Sequence, residues 1–180
     1  MDVMLDLETL GTTPGCVILS IGAVAFDSAA VLSTFEVHLD PRSCQRAGLT
    51  IDADTVMWWL GREEAARIAL IQGPAIPLSA ALAEFAAWLN PGERPIRLWS
   101  KGPSFDAAIL GAAYRAAGLV VPWNYQDERC VRTVLDLTGV DGGDYREMGE
   151  PRHQALTDAL AQTRAVQEAL RRIPGSVSVL

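Results

Sequence analysis

Between Val3 and Leu10 the chain runs Val3-Met4-Leu5-Asp6-Leu7-Glu8-Thr9-Leu10, two acids two positions apart inside an apolar stretch. Read as a strand, the period of two sets both carboxylates on one face and Leu5 and Leu7 on the other. A carboxylate among buried apolar residues needs its charge compensated. Paired carboxylates on one face suit a hard divalent cation with oxygen ligands, Mg²⁺ or Mn²⁺. The remaining sequence must fold around this strand and supply partners for such a site.

The chain has 180 residues, 49% of them hydrophobic and 21% charged, which suits one globular domain over residues 1–173 with 174–180 as a loose tail. No stretch approaches the roughly 20 apolar residues of a membrane span, and the N-terminus lacks the features of a signal peptide. Cys16, Cys44 and Cys130 have no metal-ligand spacing and read as free thiols in a reducing compartment, so a cytoplasmic location is expected. The net charge of −7 argues against a broad basic surface for long nucleic acid. It is compatible with an enzyme that grips a few nucleotides through cations.

Three strands come first: residues 3–9, the apolar run 16–26, and the alternating segment 31–39, joined by short turns as an antiparallel meander. Pro41 ends the meander. Asp54 or Thr55 is placed to cap a helix through Val56–Leu60, and Ser79 one over residues 80–89. Residues 95–100 form a short strand. Ser104 is placed to cap a helix over 105–117, and 126–137 reads as another helix. A glycine-rich, charged loop over 139–151 precedes the last helix, 154–172, whose basic end suits its dipole. Strands followed by helices interleaved with a further strand or two predict an α/β fold, a mixed sheet flanked by helices.

Three later features bear on the opening pair. Asp106 follows the strand Ile96–Ser100 and its Lys101-Gly102-Pro103 turn, at the carboxyl end where α/β folds gather their chemistry. Alone it reads more readily as a first-turn acid facing the helix dipole. His153 and Asp158 flank the start of the last helix, the histidine ending the loop and the acid five residues on; separately, these read as a surface residue and another first-turn acid. Together, Asp-x-Glu, a lone Asp and His-x4-Asp in this order have few structural explanations. The set resembles the DEDD-type 3′→5′ exonucleases with a histidine general base, on the ribonuclease H-like fold. The resemblance covers nearly the whole chain. Leu5–Gly11 and Trp99–Asp106 are similar to the branch of small phage-type exodeoxyribonucleases and ribonuclease T-like exoribonucleases.

The resemblance implies a five-stranded mixed sheet and hydrolysis of the terminal phosphodiester of single-stranded or 3′-overhang ends, releasing nucleoside 5′-monophosphates. It implies two divalent ions per site: Asp6 bridging them, Glu8 and Asp158 completing the first site, Asp106 serving the second. His153 is the implied general base, near neutral pH by its ordinary pKa. Backbone groups near Thr9 and Leu10 hold the terminal sugar by the same resemblance, with Leu10 wedged against the last base. Phe105 offers a stacking face but reads first as a core anchor, and Lys101 offers a phosphate contact but reads first as a solvated charge. One of the adjacent Trp58 and Trp59 is buried; the other lines an interface or a groove. A homodimer fits the family, and RNA and DNA stay open as substrates. The alternatives are a ribonuclease H-type endonuclease and a catalytically silent nucleic-acid-binding module on the same fold.

Overall fold

The apolar, β-branched character of the first forty residues produces the meander: β1 (Asp2–Thr9), β2 (Ile18–Phe26) and β3 (Val31–Leu39) pair antiparallel in order. Every residue of β2 is buried, as a central strand built of Ile18, Ile21, Val24 and Phe26 requires. The computed structural model describes residues 1–71, 73–89, 95–143, 145–147 and 152–173. The expected tail, 174–180, and part of the 139–151 loop lie outside these residues.

After the meander come α1 (Pro41–Arg46), α2 (Ala53–Leu60), α3 (Glu64–Ala69), β4 (Ala75–Ile76), α4 (Leu78–Leu89), β5 (Arg97–Ser100), α5 (Asp106–Ala116), β6 (Glu128–Cys130), α6 (Val131–Thr138) and α7 (Ala155–Arg172). The sheet order is β4-β3-β2-β1-β5-β6, with β5 parallel to β1. This is the mixed, helix-flanked sheet the sequence predicts. It differs in having six strands among the described residues where five are implied.

The sequence reading locates four of these strands, and the two it does not locate, β4 and β6, are short. The helix read over 126–137 begins only at Val131, because Glu128, Arg129 and Cys130 pair with Leu98, Trp99 and Ser100 of β5. Tertiary pairing overrides a weak local helix preference there. β4 pairs two residues with His38 and Leu39, too few to leave a periodic trace. The caps shift as well. Asp52, not Asp54 or Thr55, accepts from the Asp54 and Thr55 N–H groups at the start of α2. Phe105 occupies the N-cap of α5 with no side-chain cap bond, so Ser104 does not cap it. α4 begins at Leu78, whose N–H donates to the Ser43 hydroxyl, one position before the expected Ser79 cap.

β1 lies at the centre with both faces covered. Val3, Leu5 and Leu7 join Leu82, Phe85 and Leu89 of α4 and Ile109 and Leu110 of α5 in one core. Met4 packs with Val24, Phe26 and the α7 residues Val166 and Ala169 in the other. By the strand period, Asp6 and Glu8 share the Met4 face and look toward α7. Gly22 lies opposite Asp6 in β2. A Cβ there would overlap the backbone of Ala155 and Leu156, so glycine lets the start of α7 lie directly on the sheet.

Candidate active site

At the carboxyl end of β1 the sheet splits. β1 and β5 pair only through Asp2–Met4 and Arg97–Trp99, closed by the Trp99 indole N–H donating to Asp2 Oδ1 at 2.7 Å. Beyond the split, the Leu7 N–H donates at 3.2 Å to Oδ1 of Asp106, the first residue of α5. Asp106 is thereby fixed beside the strand that carries Asp6 and Glu8. From the other side, the close approach at Gly22 brings the first turn of α7, with Asp158, down onto the same strand.

The result is a convergence of residues remote in sequence. Asp6, Glu8 and Asp158 each offer a carboxylate oxygen, and these oxygens lie within 4.8 Å of one another. Asp106 stands outside that triad but lines the same cavity of about 480 Å³ as Asp6 and Asp158. Burial, then the charges of Asp106, Glu8 and Asp158, raise the Asp6 pKa well above the carboxylate range. Glu8 is pushed up to about 8 by burial and by Asp158 and Asp106. Asp106 rises to about 7 through burial, opposed by backbone N–H bonds and the Arg132 charge. For Asp6 and Glu8, burial and neighbouring carboxylates act together, as in acids crowded without enough positive charge.

The donor set fits a hard divalent cation. Three carboxylates converge, every donor is oxygen, and the burial and crowding that raise the Asp6 and Glu8 pKa values are what a bound dication would offset. Gln162, one turn beyond Asp158 on α7, donates Nε2 to Asp6 Oδ1 at 2.7 Å, while its buried Oε1 has no hydrogen-bond partner. Asp158 itself is paired with Arg146, whose Nη2 lies 2.6 Å from Oδ1.

His153 is held at φ +60°, the only non-glycine residue with positive φ among the described residues. Its ring makes edge contacts with Trp58 at 5.1 Å and Trp59 at 5.9 Å between centroids. Trp59 is anchored by its indole N–H, which donates to the Thr9 carbonyl at 2.9 Å. Trp59 is therefore the buried member of the tryptophan pair, and Trp58 is 43% exposed beneath the Arg62 guanidinium. His153 also shares a small cavity with Glu8. Partial burial, with the charges of Arg62, Arg146 and Arg152, lowers its pKa, and Asp158 opposes them.

The expected substrate contacts lie at the end of β1 and around the large cavity. The Thr9 hydroxyl donates to the Gly11 carbonyl at 2.6 Å, and the Thr9 carbonyl accepts from Trp59. The Leu10 N–H donates to Val17 and its carbonyl accepts from Asp52, so these backbone groups are already engaged within the protein. The Leu10 side chain is half-buried against the core, and Phe105 packs on the same core while lining the large cavity. Lys101 and Arg132 are exposed at the cavity, and the half-buried Arg146 lines it as well. Gly22, Gln162 and Arg146 escape the sequence reading. Of these only Gln162 leaves a trace, four residues after Asp158 on one helix face.

Comparison with known proteins accords with this geometry. Residues 1–170 match the family model described as the 3′-5′ exoribonuclease Rv2179c-like domain. No curated protein matches the sequence. Among solved structures, the nuclease domain of 3′hExo, a DEDDh family member bound to rAMP, is similar with a TM-score of 0.59 at 14% identity, over 94% of this chain and 91% of that one. Exonuclease X in complex with 5′ overhanging duplex DNA gives a TM-score of 0.58 at 15% identity, over 95% and 92%. A full-length 3′-exonuclease gives 0.55 at 12% identity, over 94% and 81%. At these identities the structural likeness establishes the ribonuclease H-like fold.

Proposed function

We propose that this chain, which belongs to the Rv2179c-like 3′-5′ exoribonuclease domain family and is a 3′→5′ exonuclease, removes nucleoside 5′-monophosphates from single-stranded or overhanging 3′ ends with the help of two divalent ions, Mg²⁺ or Mn²⁺. RNA is the substrate we favour, on the description of the family. The observation that carries the reading is the meeting of Asp6, Glu8 and Asp158, with Asp106 in the same cavity.

Asp6, Glu8 and Asp158 hold the first ion in this reading, and Asp6 and Asp106 the second. Bound ions supply Lewis-acid activation of the attacking water and stabilisation of the leaving oxygen. His153 takes the proton from the attacking water. Its lowered pKa keeps the imidazole neutral, hence basic, at pH 7. Trp58 and Trp59 fix the ring's orientation, and the anchored Trp59 links it to the end of β1. Gln162 orients the Asp6 carboxylate. Lys101 and Arg132 give the otherwise acidic molecule a local positive rim for phosphates. Phe105, at the same cavity, offers a ring on which a base can stack, and the Leu10 side chain wedges beside the terminal base.

A homodimer is part of the proposal, supported by the exposed apolar residues Met57, Leu60, Ile68 and Ile71 along α2, α3 and the turn after them. The three free cysteines suit a reducing, cytoplasmic setting. Digestion of 3′-labelled RNA and DNA oligomers in Mg²⁺ or Mn²⁺ tests the activity. Release of the label as a mononucleotide in the first turnover, faster from RNA and abolished in Asp6→Ala, is the predicted result; cleavage only at internal positions would move the reading to an endonuclease.

A further inference from the structure

The start of α5 borders two openings. Phe105 and Asp106 line the large cavity, and the next residues, Ala107 and Ala108, line a groove of about 400 Å³ that runs along the helix. Pro14, in the turn between β1 and β2, lines the same groove. β1 carries Glu8 and α5 begins with Asp106, so the groove is flanked by two elements that supply the acidic site.

The chemistry of the groove differs from that of the site. Small side chains, Ala107, Ala108 and Gly111, keep it open along α5. A Cβ at Gly111 would lie 3.5 Å from Arg115 Nη1, so the guanidinium leans back along the groove toward Asp106, as helical side chains lean toward the N-terminus. Arg115 is exposed, and among the described residues no carboxylate pairs with it. Glu128, the acid lining the groove among those residues, already accepts from the Trp123 indole N–H at 3.0 Å. Tyr125 stands 76% exposed at the same groove, and its hydroxyl accepts from the Gln126 side-chain amide at 3.3 Å.

A strand whose 3′ end lies among the acids must carry its remaining phosphates away across a molecule of net charge −7. An arginine with no carboxylate partner, beside an exposed ring, answers that need. A guanidinium binds phosphate oxygens in pairs, and any base stacks on an aromatic face whatever its identity. The nine residues from Asp106 to Arg115 rise about 13 Å along the helix axis, a span on the scale of a few nucleotides.

We propose that this groove is a second nucleic-acid subsite: it takes the single strand immediately 5′ of the terminal nucleotide, with Arg115 on a phosphate and Tyr125 against a base. The subsite makes affinity depend on strand length and on unpaired bases. This inference rests on the exonuclease reading above, and its test separates the two.

The probes are a riboadenylate dinucleotide and hexanucleotide, digested in Mg²⁺ by the full chain and by Arg115→Ala, Arg115→Lys and Tyr125→Ala. The full chain should show a KM for the hexanucleotide about tenfold below that for the dinucleotide, the scale of one stacked base. Arg115→Ala and Tyr125→Ala should each raise the hexanucleotide KM about tenfold with kcat unchanged. The dinucleotide, too short to lie along the groove, should be cleaved alike by all four proteins. For the hexanucleotide, the slope of log KM against log salt should fall by about 0.7 in Arg115→Ala, the share of one phosphate in a single strand, and persist in Arg115→Lys. Hexanucleotide kinetics unchanged in both alanine variants, or a loss shared equally by the dinucleotide, would overturn the subsite and leave the exonuclease standing. A changed oligomeric state in sedimentation, with KM untouched, would give the groove to a second copy of the chain and overturn it too. No mononucleotide released from either oligomer by the full chain would remove the exonuclease reading and the subsite with it.

Discussion

Replacing Glu8 by glutamine should make the metal-free protein more stable. Glu8 is 7% exposed and its pKa in the fold is about 8, against an ordinary 4.5. The folded state therefore holds this proton more tightly than the unfolded chain. The stability that protonation provides is complete below pH 4.5 and is lost as pH rises through about 8. At 1.36 kcal/mol per pKa unit, holding the proton on Glu8 at pH 7, where the unfolded chain has released it, costs on the order of 3 kcal/mol. Glutamine keeps the shape and removes the charge, so most of that should return. In a domain of this size it corresponds to a melting temperature higher by roughly 6–12 °C. The assay is thermal unfolding in EDTA at pH 5 and pH 7.5. The Glu8→Gln advantage should be small at the lower pH and large at the higher one. Adding Mn²⁺ should then raise the melting temperature of the unsubstituted chain more than that of the variant. A variant no more stable than the unsubstituted chain at pH 7.5 in EDTA would refute the claim that crowded, buried charge defines this site.

Other perturbations follow from the same geometry. His153→Ala should lower kcat by about 10²–10⁴-fold, the usual contribution of a positioned base, in single-turnover digestion of a labelled oligomer. Because the His153 pKa is lowered from 6.5, the imidazole is the base at neutral pH. Activity should decline only as pH falls below about 6.5, and the His153→Ala variant should lack that limb; a limb that persists would assign it to another group. Trp59→Phe removes the bond to the Thr9 carbonyl, worth about 1 kcal/mol. If Trp59 positions His153, kcat should fall and the KM for RNA should hold; an equal loss in the two would reduce its role to packing. Gly22→Ala forces α7 off β2 and should destabilise by about 1–3 kcal/mol, as overpacking does, with reduced Mn²⁺ affinity read by titration.

The opening strand was legible because its chemistry contradicts its surroundings: Asp6 and Glu8 sit among residues that only burial explains, and burial of acids demands a partner. The meander, α5 and α7 were legible through alternation and helical periodicity. What stayed hidden depends on contacts between remote segments. β6 looks helical until Leu98–Ser100 pairs with it. Gly22 is one small residue in an apolar run until the backbone of α7 lies against it. Arg146 is a charged loop residue until folding sets it 2.6 Å from Asp158. At Thr9 and Leu10 the sequence likewise leaves unmarked the bonds that Trp59, Val17 and Asp52 make to their backbone.

The central claim is that the carboxylates of positions 6, 8 and 158 hold a divalent ion together, with 106 serving a second. Anomalous diffraction from crystals soaked in Mn²⁺ tests it directly. The account predicts one manganese peak among Asp6, Glu8 and Asp158 and another beside Asp106. Manganese bound elsewhere, with these four acids left bare in a protein that still degrades RNA, would contradict it.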